Sequence, residues 1–386
     1  MSVSQIQPAL LRRMTVRKVL ECLQEQGPLS RADLTRETGI SAPTVSKAVS
    51  DLLDTGLLEE GDAPENALGR PGRRLMLARE RAQVIGVTLD AVECGVVCAS
   101  LDGEIHSDST VTFSTPSSYA TLLEHLLNAV TQIIASTTAT TLGIGVSAPG
   151  LLAEAKCLLS PNLPAINGQS PAVDLAQATG VPCFAMQEIR ALCMAERLYG
   201  MARGLDDFAM IDSTFGLGLG VFGGGDLLNG HSGLAGELGH ITVDPAGKLC
   251  GCGNHGCLET LSTDSALAAM VSERLGQRLT MDQVIGQLRQ GQLQAPEEVN
   301  RVSEYLAIAL AATINLYNPS TVFVHNRLFS ISEGTMQQVI RMARCRSLDP
   351  SFDGCRILAA TATKSQGAIA AVVHQLTRAA GPRVAE

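Results

Sequence analysis

One short stretch limits this chain more than any other: GLAGELGHITVDPAGKLCGCGNHGCLETL, residues 233–261. Within it His240, Cys250, Cys252 and Cys257 follow the spacing H-x9-C-x-C-x4-C. One imidazole and three thiolates make a complete tetrahedral donor set for structural zinc, and such a set leaves no open coordination position for catalysis. Gly251, Gly253 and Gly256 let the backbone turn tightly enough for three sulfurs to face one ion. Whatever fold the chain adopts must bring His240 back onto this loop. The plainer alternative is a set of buried thiols near an unrelated histidine, which three cysteines so close together disfavour.

The chain has 11 Cys in 386 residues. With no apolar signal core near the N-terminus, reduced thiols and metal ligands are expected rather than disulfides, in a cytoplasmic protein. The sequence offers no apolar run of the roughly 18 residues a membrane span needs. Its length calls for two or three domains. The net charge of −9 is unevenly spread: residues 1–81 carry 12 Lys+Arg against 11 Asp+Glu, and the remainder 17 against 27. An acidic bulk excludes nonspecific nucleic-acid binding by the larger part, so any DNA contact must come from local clusters.

Such clusters lie near the N-terminus. Residues 9–26 predict a helix with Leu10, Leu11, Met14, Val19, Leu20 and Leu23 as its apolar stripe, ended by Gly27-Pro28. Ser30 and Asp33 predict a capping box on a helix through Thr38, Gly39 supplies a turn, Ser41 is expected to cap a second helix, and Pro43 sits in its first turn. Ala32, Leu34, Ile40, Val45, Val49, Leu52 and Leu53 are the expected small core. Helix, glycine turn, helix is the pattern of a helix-turn-helix, whose second helix enters the major groove. Ala42, Thr44, Ser46 and Lys47 would then meet bases or phosphates. Leu57-Leu58 and Leu75-Met76-Leu77 predict the strands of a wing. Between them GRPGRR, residues 69–74, offers Arg70, Arg73 and Arg74 to a narrow minor groove.

After residue 82 short strands alternate with amphipathic helices, as in QVIGVTLD, SYATLLEHLLNAVTQIIAS and TLGIGVSAPGLL, so the larger part reads as α/β. Segment 233–260 resembles the zinc signature of the ROK family (repressors, open reading frames and sugar kinases). The resemblance runs over nearly the whole chain. MAERLYGMARG at 194–204 is similar to the N-acetylglucosamine and xylose repressor branch. It implies a winged helix-turn-helix followed by a two-lobed actin/hexokinase-like domain with the sugar in the cleft. The expected divisions are 1–82 for DNA binding, 83–187 for the first lobe joined by a C-terminal helix in 366–386, and 188–365 for the second lobe. It further implies sugar contacts at Gly150, Asn162, Glu188, Glu237, His240 and Glu259, with His240 both holding zinc and facing the sugar. Carboxylates and amides suit a polyol because they hydrogen-bond vicinal hydroxyls, and zinc fixes the loop that carries Glu237 and Glu259.

The same resemblance argues against phosphoryl transfer. Where the family's kinases have D-x-G-G-T, this chain has Thr88-Leu89-Asp90-Ala91-Val92; where they have G-T-G-x-G, it has Thr214-Phe215-Gly216-Leu217-Gly218. His325-Asn326 replaces the Gly-Gly pair near the adenosine, and Gln187-Glu188-Ile189-Arg190 replaces the Asn-Asp-x-Asn that supplies the base. Phosphoryl transfer is mostly positioning and charge stabilisation, and those parts are altered. Arg190 brings a positive charge near Glu188, either to pair with it or to meet a phosphorylated sugar. The expectation is a sugar- or sugar-phosphate-responsive regulator, a homodimer or homotetramer on double-stranded operator DNA. The alternatives are control by a protein partner such as a sugar-transport component, and a sugar kinase with a DNA-binding head.

Overall fold

The computed structural model describes residues 3–61 and 73–379. It begins with α1 (Val3–Gln26), α2 (Arg31–Thr38) and α3 (Ala42–Asp54), followed by β1 (Leu58–Gly61) and β2 (Arg74–Leu77). The strands pair antiparallel, with Leu58 opposite Leu77. The local signals act as their chemistry requires. Ser30 and Asp33 form the reciprocal capping box of α2, and Gly39 closes it in the left-handed conformation at φ 66°. Pro43 sits in the first turn of α3, but Ser41 makes no side-chain bond to the helix backbone; its hydroxyl lies 2.8 Å from that of Thr44.

Two expectations about this core need correction. Helix α1 starts earlier than residue 9, and its buried stripe is Val16, Val19, Leu20 and Leu23, while Leu11 and Met14 are exposed. Ala32 is exposed, and Thr38 is buried instead.

The chain divides into two compact units: 1–158 with 165–199 and 362–386, and 159–164 with 200–361. The first holds a sheet of β3 (Ala82–Thr88), β4 (Glu93–Ala99), β5 (Ile105–Ser114), β6 (Thr140–Ala148) and β9 (Cys183–Gln187), in the order β5-β4-β3-β6-β9. Helix α4 (Tyr119–Ala135) links β5 to β6; the small hairpin β7 (Leu151–Ala153) and β8 (Lys156–Leu159) and helix α5 (Pro171–Thr179) lie between β6 and β9. Helix α6 (Glu188–Tyr199) follows β9 directly.

In the second unit, β10 (Phe208–Asp212), β11 (Gly218–Gly223) and β12 (Asp226–Leu227) share a sheet with β13 (Thr321–His325) and β14 (Arg356–Ala359), ordered β12-β11-β10-β13-β14. Its helices are α7 (Glu259–Ser262), α8 (Asp264–Leu275), α9 (Met281–Arg289), α10 (Pro296–Tyr317), α11 (Glu333–Arg344) and α12 (Asp349–Asp353). Leu267, Val271, Leu306, Leu310, Val322, Val324 and Val339 form the heart of its core. Helix α13 (Lys364–Ala379) then returns to the first unit.

These divisions differ from the expected ones in several ways: residues 159–164, expected in the first lobe, belong to the second unit, and residues 362–365, expected in the second, belong to the first. Helix α6 belongs to the first unit, because Ala191, Leu192, Met194 and Ala195 are buried there. The DNA-binding elements also share a core with that unit. Val16, Val19, Leu20 and Leu23 of α1 form one buried cluster with Val84, Val97, Ile369, Val372 and Leu376. Continuous apolar burial of this kind removes water from both partners and leaves no free-standing head.

Candidate metal centre, polyol residues and DNA-facing helix

The loop from Leu238 to Leu258 is folded on its glycines. Gly256, at φ 62°, lies against the Asp244 carbonyl so closely that a Cβ would sit 1.5 Å from the oxygen. Only glycine permits this turn. It brings the ligand atoms of His240, Cys250, Cys252 and Cys257 within 4.8 Å of one another. Cys252 Sγ is 3.7 Å from Cys257 Sγ, and Cys250 Sγ is 3.7 Å from His240 Nδ1. The edge of a tetrahedron built on ~2.3 Å metal–sulfur bonds is about 3.8 Å, so the donor set fits one tetrahedral ion.

Burial pushes the Cys250 thiol up to about 12 and also raises Cys257. Burial opposes ionisation of Cys252 too, but the Asn254 backbone and the neighbouring thiols outweigh it and hold this sulfur below its ordinary value. Three thiols this close resist joint ionisation until a cation joins them.

Expected polyol contacts gather around the same cluster. His240 turns Nδ1 to the thiols and Nε2 toward Glu237, 3.8 Å from Oε2. Glu259 lies 3.6 Å from Cys250 Sγ through Oε1, and its Oε2 accepts the Leu217 N–H at 3.1 Å. Asn162 joins it over Gly216: a Cβ there would lie 2.6 Å from Glu259 Oε2 and 3.1 Å from Asn162 Nδ2. Gly216 is thus the floor beneath two expected ligands, which sequence reasoning had treated only as a remnant of a phosphate loop.

In the first unit Gly150 makes the turn after β6 at φ 94°, and Glu188 opens α6. Sequence reasoning missed the cation that faces Glu188. Lys364 Nζ of α13 sits 2.8 Å from Glu188 Oε1 and 2.9 Å from Asp90 Oδ2. Arg190 is half-buried on α6, and burial pulls its guanidinium below the ordinary value.

Residues expected at the positions of the kinase phosphate elements are buried or engaged within the protein. Thr88 is buried at the end of β3. Thr214 donates both its N–H and its hydroxyl to Asp212 Oδ1, and His325 Nδ1 lies 3.0 Å from the same oxygen. Asp264 accepts the N–H groups of Arg327 and Leu328, and burial pushes its carboxyl up to about 7.

On α3, Val45, Ala48, Val49 and Leu52 are buried, while Ala42, Thr44, Ser46 and Lys47 form an exposed face that Ser50 extends. In the wing, Glu60 of β1 holds Arg73 at 2.8 Å and Arg31 at 3.0 Å. Arg74 donates to the Pro28 carbonyl at 2.9 Å, and Arg70 lies outside the described residues.

The ROK family profile matches residues 84–376. The chain belongs to the ROK family. A winged helix-turn-helix DNA-binding profile matches residues 15–59. The chain is 28% identical to the DNA-binding transcriptional dual regulator NagC of Escherichia coli strain K12, over 82% of this chain and 80% of NagC. It is 26% identical to the DNA-binding transcriptional repressor Mlc of the same strain, over 91% and 90%. It is also 26% identical to the xylose repressor of Bacillus subtilis strain 168, over 82% and 83%. A solved ROK family transcriptional regulator, a homologue of E. coli Mlc, has the same fold, with TM-score 0.79, 24% identity and 95% and 97% coverage. The ROK glucokinase of Streptomyces griseus, solved with glucose and AMPPNP, shares the fold at TM-score 0.65 and 23% identity, covering 75% of this chain and 98% of the glucokinase. The fold therefore serves regulators and kinases alike, and particular residues must decide between them. No helix among the described residues is long and apolar enough to cross a membrane.

Proposed function

We propose that this chain is a sugar-responsive DNA-binding transcriptional regulator, a cytoplasmic repressor of carbohydrate genes without kinase activity. The observation that carries the reading is a contrast between residues suited to a polyol and residues turned onto partners within the protein. Asn162, Glu237, His240 and Glu259 stand around the His/Cys3 cluster with acceptors and a donor suited to a polyol. Thr214 and His325, at positions where kinases handle nucleotide, are both turned onto Asp212. Glu188, at the position of the kinase base, holds an ammonium.

Zinc is the metal this donor set suits, and when bound it supplies the positive charge that lets three thiolates share one loop. His240, Cys250, Cys252 and Cys257 would hold it; Glu237 and Glu259, with Asn162, would take the sugar hydroxyls. We also assign Gly150 and Glu188, in the first unit, to ligand binding. Ala42, Thr44, Ser46 and Lys47 enter the major groove, and Arg70, Arg73 and Arg74 serve the wing. For Arg73, a DNA phosphate would take the place of Glu60. A symmetric homodimer, or a homotetramer built from it, reads a roughly palindromic operator.

The test is thermal unfolding of the purified, metal-loaded chain against sugars, sugar phosphates and an ATP analogue. A ligand that binds only the native state raises the melting temperature. A sugar shift with no response to the ATP analogue is expected. A shift with the ATP analogue would restore the kinase reading. No sugar shift, with metal and fold intact, would move control to a protein partner such as a transport component.

Two variants sharpen this reading. Gly216→Ala drives a Cβ into the side-chain ends of Glu259 and Asn162 rather than into backbone, so those side chains give way and the fold survives. Calorimetry with the sugar found in the panel should show binding weakened about tenfold or more at nearly unchanged melting temperature. Unweakened binding would remove Glu259 and Asn162 from the ligand set. For DNA, Lys47→Ala should reduce the salt slope of operator binding by about 0.9, the value of one phosphate contact, on an operator selected from a random pool. An unchanged slope would take Lys47 off the phosphate backbone.

A further inference from the structure

Lys364 stands where local preference would not put it. Thr363 and Gln366 cap α13 reciprocally, Thr363 N–H to Gln366 Oε1 at 3.0 Å and Gln366 N–H to Thr363 Oγ1 at 3.2 Å. Lys364 is then the first helical residue, in a first turn that holds no acid. A cation at a helix N-terminus opposes the helix dipole. Asp90 and Glu188, both within 3 Å of Nζ, offset that cost, and all three side chains are at most 22% exposed. A residue that breaks a local rule and is held by a built partner set marks a site with a task.

The task follows from where the two helices lead. Helices α6 and α13 both begin at this ion bridge. Both end at α1: Arg197 of α6 pairs with Glu25 at 2.7 Å, and Gln24 lies 3.3 Å from Thr377 of α13. Leu198 and Tyr199 pack against the cluster that holds Val19, Leu20 and Leu23. There is little slack along the way. A Cβ on Gly367 would lie 3.2 Å from the Ala191 and Leu192 backbone, and one on Gly145 only 2.0 Å from the Ala368 carbonyl oxygen. Upstream of α13, the Ala362 N–H donates to the buried Glu196 carboxylate of α6 at 2.7 Å. Close-packed interiors transmit displacement instead of absorbing it.

We propose that Lys364 is the positioning residue of the sensor: by bridging Asp90 and Glu188 it fixes the common start of α6 and α13, and through their far ends it sets the seat of the DNA-binding helix α1. A ligand that takes up Glu188 competes with the ammonium, loosens the bridge and releases α1. The proposal rests on the reading above only for Glu188 facing a ligand. Its test uses neither sugar nor DNA, so its failure is separate from failure of that reading.

Hydrogen exchange is measured on the full metal-loaded chain, comparing the wild type with Lys364→Met and Lys364→Arg. In Lys364→Met, amides of residues 16–26 should exchange about fivefold faster or more, while the β3 and β6 amides and the second unit keep their protection. Lys364→Arg, which keeps the charge, should restore most of the protection of α1. Faster exchange confined to residues 364–368, a uniform loss across the first unit, or no change at all would each overturn the proposal. Should Lys364→Met fail to fold, Asp90→Asn removes one partner of the bridge and is read by the same pattern at smaller size.

Discussion

Cys250→Ser is expected to lose the metal and to lower the melting temperature of the second unit by about 6–12 °C. The serine hydroxyl is a poor ligand for zinc at neutral pH, and three remaining donors bind far more weakly than four. Zinc binding in small finger peptides is worth ~10–16 kcal/mol, but there the metal supplies nearly all the folding energy. Here the unit has its own core around Leu267, Leu306, Leu310 and Val322, so only the loop depends on the ion. The expected loss is ~3 kcal/mol, the upper end for most point mutations, which at ~2–4 °C per kcal/mol gives the stated shift. The sugar response should vanish with the metal. Glu259 lies 3.6 Å from Cys250 Sγ and Glu237 lies 3.8 Å from His240 Nε2, so both carboxylates lose the frame that aims them. Elemental analysis and calorimetry on the same sample check both parts. A variant with wild-type metal content and stability would show that Cys250 is an ordinary buried thiol.

What could be read from the sequence divides by range. The helix-turn-helix was legible because its signals are local: Ser30 reaches Asp33, Gly39 turns within one residue, and Pro43 needs only its own φ. The gathering of His240, Cys250, Cys252 and Cys257 into one cluster was legible for the same reason, since three of the four fall between residues 250 and 257. Sequence reasoning failed where the partner lies far along the chain. Val16, not Met14, faces the core of α1, because residues from α13 and β3 decide which side is covered. Helix α6 falls in the first unit and not in the expected second division, because its buried face is matched to α13, which returns from the far end of the chain. Arg190 was the visible cation beside Glu188, and Lys364 was invisible until α13 was in place. Its one local trace was a lysine opening a helix without an acid in the first turn.

Gly145→Ala should cost at least ~3 kcal/mol, the upper end of what overpacking a core costs, and should carry DNA binding away with it. The added Cβ meets the Ala368 carbonyl oxygen at 2.0 Å and the Val372 nitrogen at 3.0 Å. Both are backbone atoms inside α13, so no rotamer change relieves the clash, and the helix must lift from the sheet as a body. Lifting it uncovers Val372, Val373 and Leu376, on which α1 is seated, so the DNA-binding helices lose their support at the same time. Gly143→Ala and Gly86→Ala are the controls. Their nearest contacts, Val372 Cγ2 at 2.7 Å and Ile369 Cδ1 at 2.9 Å, are side-chain methyls rather than helix backbone, and even Ala368 Cβ stands 3.1 Å from a Cβ at Gly86, so the displacement each demands of α13 is smaller. Urea unfolding should therefore show a large fall in midpoint at unchanged slope for Gly145→Ala and falls less than half as large for the other two. Operator affinity should follow the same order. Equal, mild effects at all three glycines would mean that α13 has room above the sheet and can shift without moving α1, which would remove the physical basis for any rigid link between the sensor and the DNA-binding helices.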